Sequence, residues 1–258
     1  MNCAWDGLLE APLPGREFKP RRTGITMLID KGLTVHETRD LLSLNAPYID
    51  FLKLTFGTAA LYPKPVLEEK INVAKAFEVA VYPGGTFFEI ALWEKKSDLY
   101  FQSLAGLGFE WVEISDGSLD ISPGERSLAI QKAQNTGLKV ITEVGKKDTA
   151  NQPSGNWLAE TARRDLEEGA DWVIIESRES GKGIGIYDHR GEVIPAMFNE
   201  LRHKLNVEKL IWEAPLKAQQ AMLINEFGPN VNLGNIPTQE VMALEALRRG
   251  YRSDTWKI

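Results

Sequence analysis

The stretch VITEVGKKD, residues 140–148, reads as a buried β-strand that runs straight into a carboxylate, a tight turn and two lysines. Val140, Ile141 and Val144 supply β-branched bulk, and Gly145 lets the chain turn sharply after Glu143. In a barrel of parallel strands the last residues of each strand lie on the carboxyl-end face, where such folds carry their chemistry. Glu143 and Lys147 are then active-site candidates. Taken alone, the segment also reads as a core strand followed by a solvated basic turn, so repetition along the chain decides between the two.

The pattern does repeat. Apolar runs stand at ITMLID (25–30), YIDFLKL (48–54), FEVAVYP (77–83), GFEWVEIS (108–115), KVITEV (139–144), ADWVIIE (170–176), KLIWE (209–213) and PNVNLGNIP (229–237). They recur at roughly 30-residue intervals, each followed by a helical pattern, which is the period of βα units. The count predicts an α/β fold, a (β/α)8 TIM barrel over residues 24–258. An open doubly wound sheet is the other arrangement, but no Gly-x-Gly-x-x-Gly fingerprint opens the chain. Residues 1–23 carry Pro12, Pro14, Pro20 and the pair Arg21 and Arg22, and read as an extended arm laid on the surface or on a neighbouring subunit. A homo-oligomer is therefore expected.

Local signals fill in the units. Ser122 followed by Pro123 marks a helix start, and Gly169 marks a helix end. The helix through VLEEKINVAKAF is read with Glu68, Glu69 and Lys70 outward, and DTANQPSGN (148–156) as a polar insert. Pro83, Gly84 and Gly85 stop the third strand abruptly. They make either a plain loop or a backbone free to approach a ligand.

At 258 residues, 43% hydrophobic and 26% charged, the composition is that of an ordinary globular domain. A net charge of −6 argues against nucleic-acid binding, which rests on clustered Lys and Arg, but leaves room for a small anionic substrate in a local cationic pocket. The lone Cys3 excludes an intramolecular disulfide and a cysteine zinc site. No apolar run reaches signal-peptide or membrane-span length, so the expected setting is cytoplasmic, with no membrane partner. Neither a Ser-His-Asp arrangement nor a P-loop is visible.

Residues two apart on a strand share a face, so Glu143 groups with Ile141, Glu176 with Ile174 and Glu213 with Ile211. Glu113, Glu143 and Glu176 come from three consecutive strands and are the candidate metal set, with Asp116 close by in sequence. Three such anions together call for a cation, and oxygen-only ligands favour Mg²⁺ over zinc. Glu213 is either metal-linked or orients a lysine. Lys31, Lys53, Lys147, Arg178 and Lys182 fall on the same rim and suit a substrate with several negative charges. The plain alternative is an ion network that pairs these glutamates with Lys53, Lys147 or Arg178. A phosphate site near GNIP, Arg249 and Arg252 is suggested by where barrels commonly hold phosphate.

The strings LIDKG, IDFLK, YPGGTFFE, GFEWVEISDGSLDIS, TEVGKKD, GADWVIIESRESGKGIG, IWEAP, GPNVNLGNIP and LRRGYRSDT together make the chain resemble the phosphosulfolactate synthase family, in order, from about residue 24 to 255. KLTFGT (53–58) departs from that family's usual KFGWGT, which puts Leu54, Thr55 and Phe56 in question. The resemblance implies a Mg²⁺-dependent addition of sulfite to phosphoenolpyruvate, giving (2R)-phospho-3-sulfolactate, the chemistry of coenzyme M and sulfolactate synthesis. It implies Lys147 as the general acid, and Lys31, Lys53, Arg178 and Lys182 as holders of phosphate and sulfite. A distant plant branch linked to heat stress offers a second reading, a barrel acting through protein interactions. Related enolate chemistry with another nucleophile is a third.

Overall fold

The computed structural model describes residues 4, 5, 7–148 and 152–256. Cys3 and the centre of the polar insert, 149–151, lie outside them. Eight parallel strands fall at the expected runs: β1 Thr26–Asp30, β2 Phe51–Leu54, β3 Ala80–Pro83, β4 Trp111–Ser115, β5 Lys139–Val144, β6 Trp172–Ile175, β7 Leu210–Glu213 and β8 Leu233–Pro237. Their order around the sheet is β3-β2-β1-β8-β7-β6-β5-β4, and the packing of β3 against β4 brings the two ends together into a nearly closed barrel. The helices are α1 Val35–Asn45, α2 Lys64–Ala76, α3 Gly85–Trp93, α4 Ser97–Leu107, α5 Pro123–Asn135, α6 Gly155–Glu167, α7 Pro195–Lys204, α8 Lys217–Phe227 and α9 Val241–Arg248. Two of them, α3 and α4, follow β3. Ser122 caps α5 in a reciprocal capping box with Glu125, and the chain leaves α6 through Gly169 at φ +100°.

The alternation of side chains along the strands divides the core in two. Ile25, Met27, Phe51, Tyr82, Trp111, Ile141, Ile174 and Ile211 fill the inside of the barrel. Leu28, Leu52, Val112, Val140, Val173 and Trp212 belong to a larger cluster between barrel and helices. Two residues beyond the inner apolar layer, on the same face, come Lys53, Gly84, Glu113, Glu143 and Glu213, and Glu176 follows just past β6. The barrel is thus apolar in its lower half and charged at its carboxyl end.

The arm runs along the barrel's other end. Arg21 clamps Asp50 through a contact of 2.7 Å, Lys19 donates to the Glu78 carbonyl at 2.8 Å, and Arg16, buried, reaches Glu245 at 3.2 Å and the Gly24 carbonyl at 2.9 Å. Asp50, Glu78 and Gly24 all precede strands, so the arm lies on the face opposite the charged rim. Among the described residues no helix is long and apolar enough to cross a membrane.

One expectation is overturned. Lys70 does not face outward; it lies fully buried on the apolar stripe of α2 with Leu67, Ile71 and Ala74, and its ammonium stands 2.6 Å from Asp30 Oδ2. The same ammonium donates to the Leu33 carbonyl at 2.6 Å and to Thr38 Oγ1 at 2.8 Å, while Asp30 Oδ1 accepts from the N–H groups of Gly32 and Leu33. This pair fastens the β1–α1 loop to α2. Removing one partner leaves the other charge buried and uncompensated, so Asp30→Ala should cost about 3–5 kcal/mol of stability, read from the guanidinium chloride unfolding midpoint. An unchanged midpoint would mean that Lys70 is neutral or hydrated in solution.

Candidate active site

A cavity of about 390 Å³ opens at the carboxyl end of the barrel. Lys53 on β2, Gly84, Gly85 and Thr86 at the start of α3, Glu113 on β4, Glu143 on β5, Lys147, Glu176, Arg178 and Glu213 line it. Glu113, Glu143, Glu176 and Glu213 are each at most 2% exposed. Lys53 Nζ lies 2.9 Å from Glu113, 2.9 Å from Glu143 and 3.5 Å from Glu213. Lys147 Nζ lies 3.6 Å from Glu143, 3.7 Å from Glu176 and 3.1 Å from Thr86 Oγ1.

The electrostatics follow from this crowding. Burial would lower the Lys53 ammonium, but Glu113, Glu143 and Glu213 outweigh it and push its pKa well above the ordinary lysine value. Lys147 is raised in the same way by Glu143 and Glu176. Burial would raise Glu143, yet Lys53 and Lys147 hold it below the usual carboxylate range. Glu113 is lifted to about 7, chiefly by burial. Glu176 is lifted well above its ordinary value by burial and then by Glu143 and Glu213.

The third carboxylate beside Glu143 and Glu176 is Glu213, where the sequence places Glu113. Oxygens of Glu143, Glu176 and Glu213 lie within 4.8 Å of one another, the spacing of a metal-binding set. Strand stagger is the cause. The β4–β5 ladder sets Glu113 beside Ile141 and the β5–β6 ladder sets Glu143 beside Ile174, so Glu113 falls two inward layers below Glu176 and Glu143 only one, whereas β6 and β7 pair Ile175 with Trp212 and so bring Glu176 level with Glu213. Glu113 instead accepts from the Gly85 N–H at 2.6 Å. Gly85 has no room for a side chain, since a Cβ there would lie 2.6 Å from that of Ser115. The glycine pair therefore serves close packing of α3 on β4 as well as lining the cavity. Asp116 turns away to Arg126 and Lys146, at 3.2 and 3.1 Å.

The remaining predicted cations separate. Arg178 lines the mouth, exposed, with φ +61°. Lys31 is half exposed, pairs with Glu179 and lies 5.9 Å from the centre of the Phe56 ring. Lys182 is exposed and does not line the cavity. Nor do Arg249 and Arg252: Arg249 pairs with Glu245 and Arg252 with Asp254. Of the unusual KLTFGT segment, Thr55 and Phe56 face the cavity and Leu54 is buried outside the barrel. Glu89 was not anticipated. It is buried on α3 and accepts from Ser115 Oγ at 2.5 Å, Gly117 N at 3.1 Å and Ser118 N at 2.9 Å, fixing the β4 loop against which Lys147 runs.

The donor set suits a divalent cation. Four buried carboxyl groups crowd two ammonium groups, and burial together with this crowding is why Glu113 and Glu176 keep their protons to higher pH; a divalent cation would stabilise the ionised forms in the protons' place. Glu143 Oε1 and Glu176 Oε2 are buried without a hydrogen-bond donor in range. A barrel whose carboxyl end gathers carboxylates able to hold a hard cation, with a lysine beside them, has the layout of an enzyme. The chain belongs to the phosphosulfolactate synthase family: residues 14–254 match the family described as (2R)-phospho-3-sulfolactate synthase (ComA), whose members are lyase-type, metal-dependent enzymes. It is 47% identical over 241 residues to "Phosphosulfolactate synthase" of Methanocaldococcus jannaschii, covering 93% of this chain and 96% of that one. To the protein of the same name from Methanothermobacter thermautotrophicus it is 45% identical over 248 residues, covering 94% and 95%. The crystal structure of 3-keto-L-gulonate-6-phosphate decarboxylase from Vibrio cholerae shares the fold at a TM-score of 0.57 and 10% identity, over 89% of this chain and 98% of that one.

The crowded carboxylates give a stability prediction with a definite sign. Glu176 is raised in the folded state, so its cost is absent at low pH, appears as the unfolded chain ionises near pH 4.5, and grows until the folded group ionises. Glu176→Gln should therefore raise the melting temperature of the metal-free protein at pH 7, by about 2–4 °C per kcal/mol relieved, and leave it unchanged at pH 4. A lower melting temperature at pH 7 would show that the carboxylate is stabilising as it stands.

Proposed function

We propose that the protein joins sulfite to phosphoenolpyruvate, giving (2R)-phospho-3-sulfolactate, with Mg²⁺ held by Glu143, Glu176 and Glu213. The observation that carries this reading is Lys147 Nζ, set beside Glu143 and Glu176 at the edge of a hard-ligand carboxylate set in a chain of this family. Mg²⁺ at these oxygens would supply positive charge where the substrate carboxylate gains electrons. Lys53, tied to Glu113 and Glu143, holds the carboxylates in place and has no free donor geometry to spare for phosphate. Arg178 at the mouth is the cation that suits the phosphate.

The sulfur lone pair of sulfite forms the new bond at the methylene carbon of phosphoenolpyruvate, and the displaced π pair moves onto the neighbouring carbon and its carboxylate. The Lys147 ammonium, kept protonated by Glu143 and Glu176, delivers its proton to that carbon from one face. The phosphate ester stays intact. One-sided delivery by a fixed acid accounts for a single product configuration.

A cytoplasmic setting fits soluble substrates of this kind. Self-association is also part of the reading: Trp5, Leu9, Met242 and Tyr251, all at least half exposed, line one apolar groove. The protein-interaction reading is not favoured, because relatives at 45–47% identity carry the synthase name.

Purified protein given phosphoenolpyruvate, sulfite and Mg²⁺ should form phosphosulfolactate, and EDTA or omission of sulfite should abolish it. Phosphoenolpyruvate binding without product would point to a different nucleophile, and neither binding nor product would return the protein-interaction reading. Lys147→Ala should lower kcat by about 10²- to 10⁴-fold, the usual contribution of a positioned acid. Calorimetric titration of Glu143→Gln with Mg²⁺ should show the affinity lost, and parent-like binding would remove Glu143 from the metal set.

A further inference from the structure

We propose that Arg126, on the far side of β5 from the cavity, is a positioning residue that fixes the segment carrying Glu143 and Lys147. The inference rests on the reading of Lys147 given above and deepens it. Arg126 lies on the apolar stripe of α5 with Ala129, Ile130 and Ala133, and is 4% exposed. Its Nε donates to Asp165 Oδ1 at 2.8 Å and its Nη2 to Asp165 Oδ2 at 2.7 Å, a bidentate pair that joins α5 to α6. A staple between two helices needs nothing more.

The guanidinium does more. Nη2 also donates to the backbone carbonyl of Glu143 at 2.9 Å, and Nη1 donates to Asp116 Oδ1 at 3.2 Å. Asp116 Oδ2 in turn accepts from Lys146 Nζ at 3.1 Å, and the same ammonium donates to the Asp116 carbonyl at 2.7 Å. The N–H of Lys147 donates to the Gly117 carbonyl at 2.9 Å, and the Lys147 side chain passes so close to Gly117 that a Cβ there would lie 3.1 Å from its Cε. Both ends of the turn from Glu143 to Lys147 are therefore referred to one buried guanidinium, directly at Glu143 and through Asp116 at Lys146. Neither Arg126 nor Asp116 lines the cavity. Displacing an acid by about 1 Å costs on the order of 10²-fold in rate and loosens control over which face it protonates.

The test compares the parent with Asp116→Asn, which weakens the link while leaving the Arg126–Asp165 pair, and with Arg126→Lys, which keeps the charge and loses the fork. The measurements are kcat and KM for phosphoenolpyruvate, the enantiomeric composition of the product, and amide hydrogen exchange over residues 143–148 with residues 26–30 as reference. In both variants kcat should fall about 10- to 100-fold with KM within threefold of the parent. The opposite enantiomer should become detectable, and exchange over 143–148 should quicken at least tenfold with the reference unchanged. A lower melting temperature with unchanged stereochemistry and unchanged local exchange would overturn the proposal and leave Arg126 a helix staple. Should the parent make no product, the functional reading has failed, and the exchange data alone decide whether Arg126 fixes the turn.

Discussion

Lys53 sits with its ammonium 2.9 Å from Glu113 and Glu143 and 3.5 Å from Glu213, inside a barrel whose lower half is apolar. An ammonium taken that far out of water is costly by several kcal/mol, and so is each carboxylate around it. Together they are tolerable because each satisfies the other, and the layer of Met27, Phe51, Tyr82, Trp111, Ile141, Ile174 and Ile211 beneath keeps water from screening the attraction. The barrel's geometry follows from this. The lysine must come from β2 and the glutamates from β4, β5 and β7, so the interior can be filled at this level only if the ring is nearly closed.

The balance is incomplete, and that is what makes the layer a site rather than a plug. Lys53 offsets part of the carboxylate charge, Lys147 reaches in from the β5 turn for another part, and the remainder shows as the raised affinity of Glu113 and Glu176 for protons. A protein that needed only a stable core would replace such a cluster with apolar side chains, often at a gain in stability. Keeping it gives up stability for a buried, strongly polar pocket at the end of the barrel where such folds carry their chemistry.

Most of the barrel was legible in the sequence because strand period and βα spacing are local properties. VITEVGKKD, VIIE and LIWE each announce an inward carboxylate two residues past an isoleucine, and that pairing holds for Glu143, Glu176 and Glu213. Which three carboxylates come within reach of one another was not legible, since it depends on the stagger between strands, a property of the closed ring that no single strand encodes. Nor did the period alone reveal Lys70, Arg126 and Glu89. Lys70 and Arg126 each occupy a position whose neighbours three and four residues away include apolar, buried side chains, Leu67 and Ala74 for Lys70, Ala129 and Ile130 for Arg126. A charge on the apolar stripe of a helix is the signal that would have found them, because a fully buried charge persists only where a partner awaits it.

The mouth of the cavity adds a constraint of its own. Among the described residues five besides glycine have positive φ, and three of them, Phe56, Arg178 and Asn235, line this cavity. Left-handed backbone at such residues costs of order 1–3 kcal/mol each and survives only where the surroundings dictate it. For Arg178 the dictating contact is visible. Its N–H donates to Glu176 Oε1 at 2.6 Å, a charge-assisted bond of the stronger kind. With one oxygen held by the backbone, the other, Oε2, is buried without a hydrogen bond and has the Lys147 ammonium 3.7 Å away. The strained turn therefore aims a carboxylate into the cavity beside Glu143 and Glu213, and the same turn holds the Arg178 side chain out over the entrance.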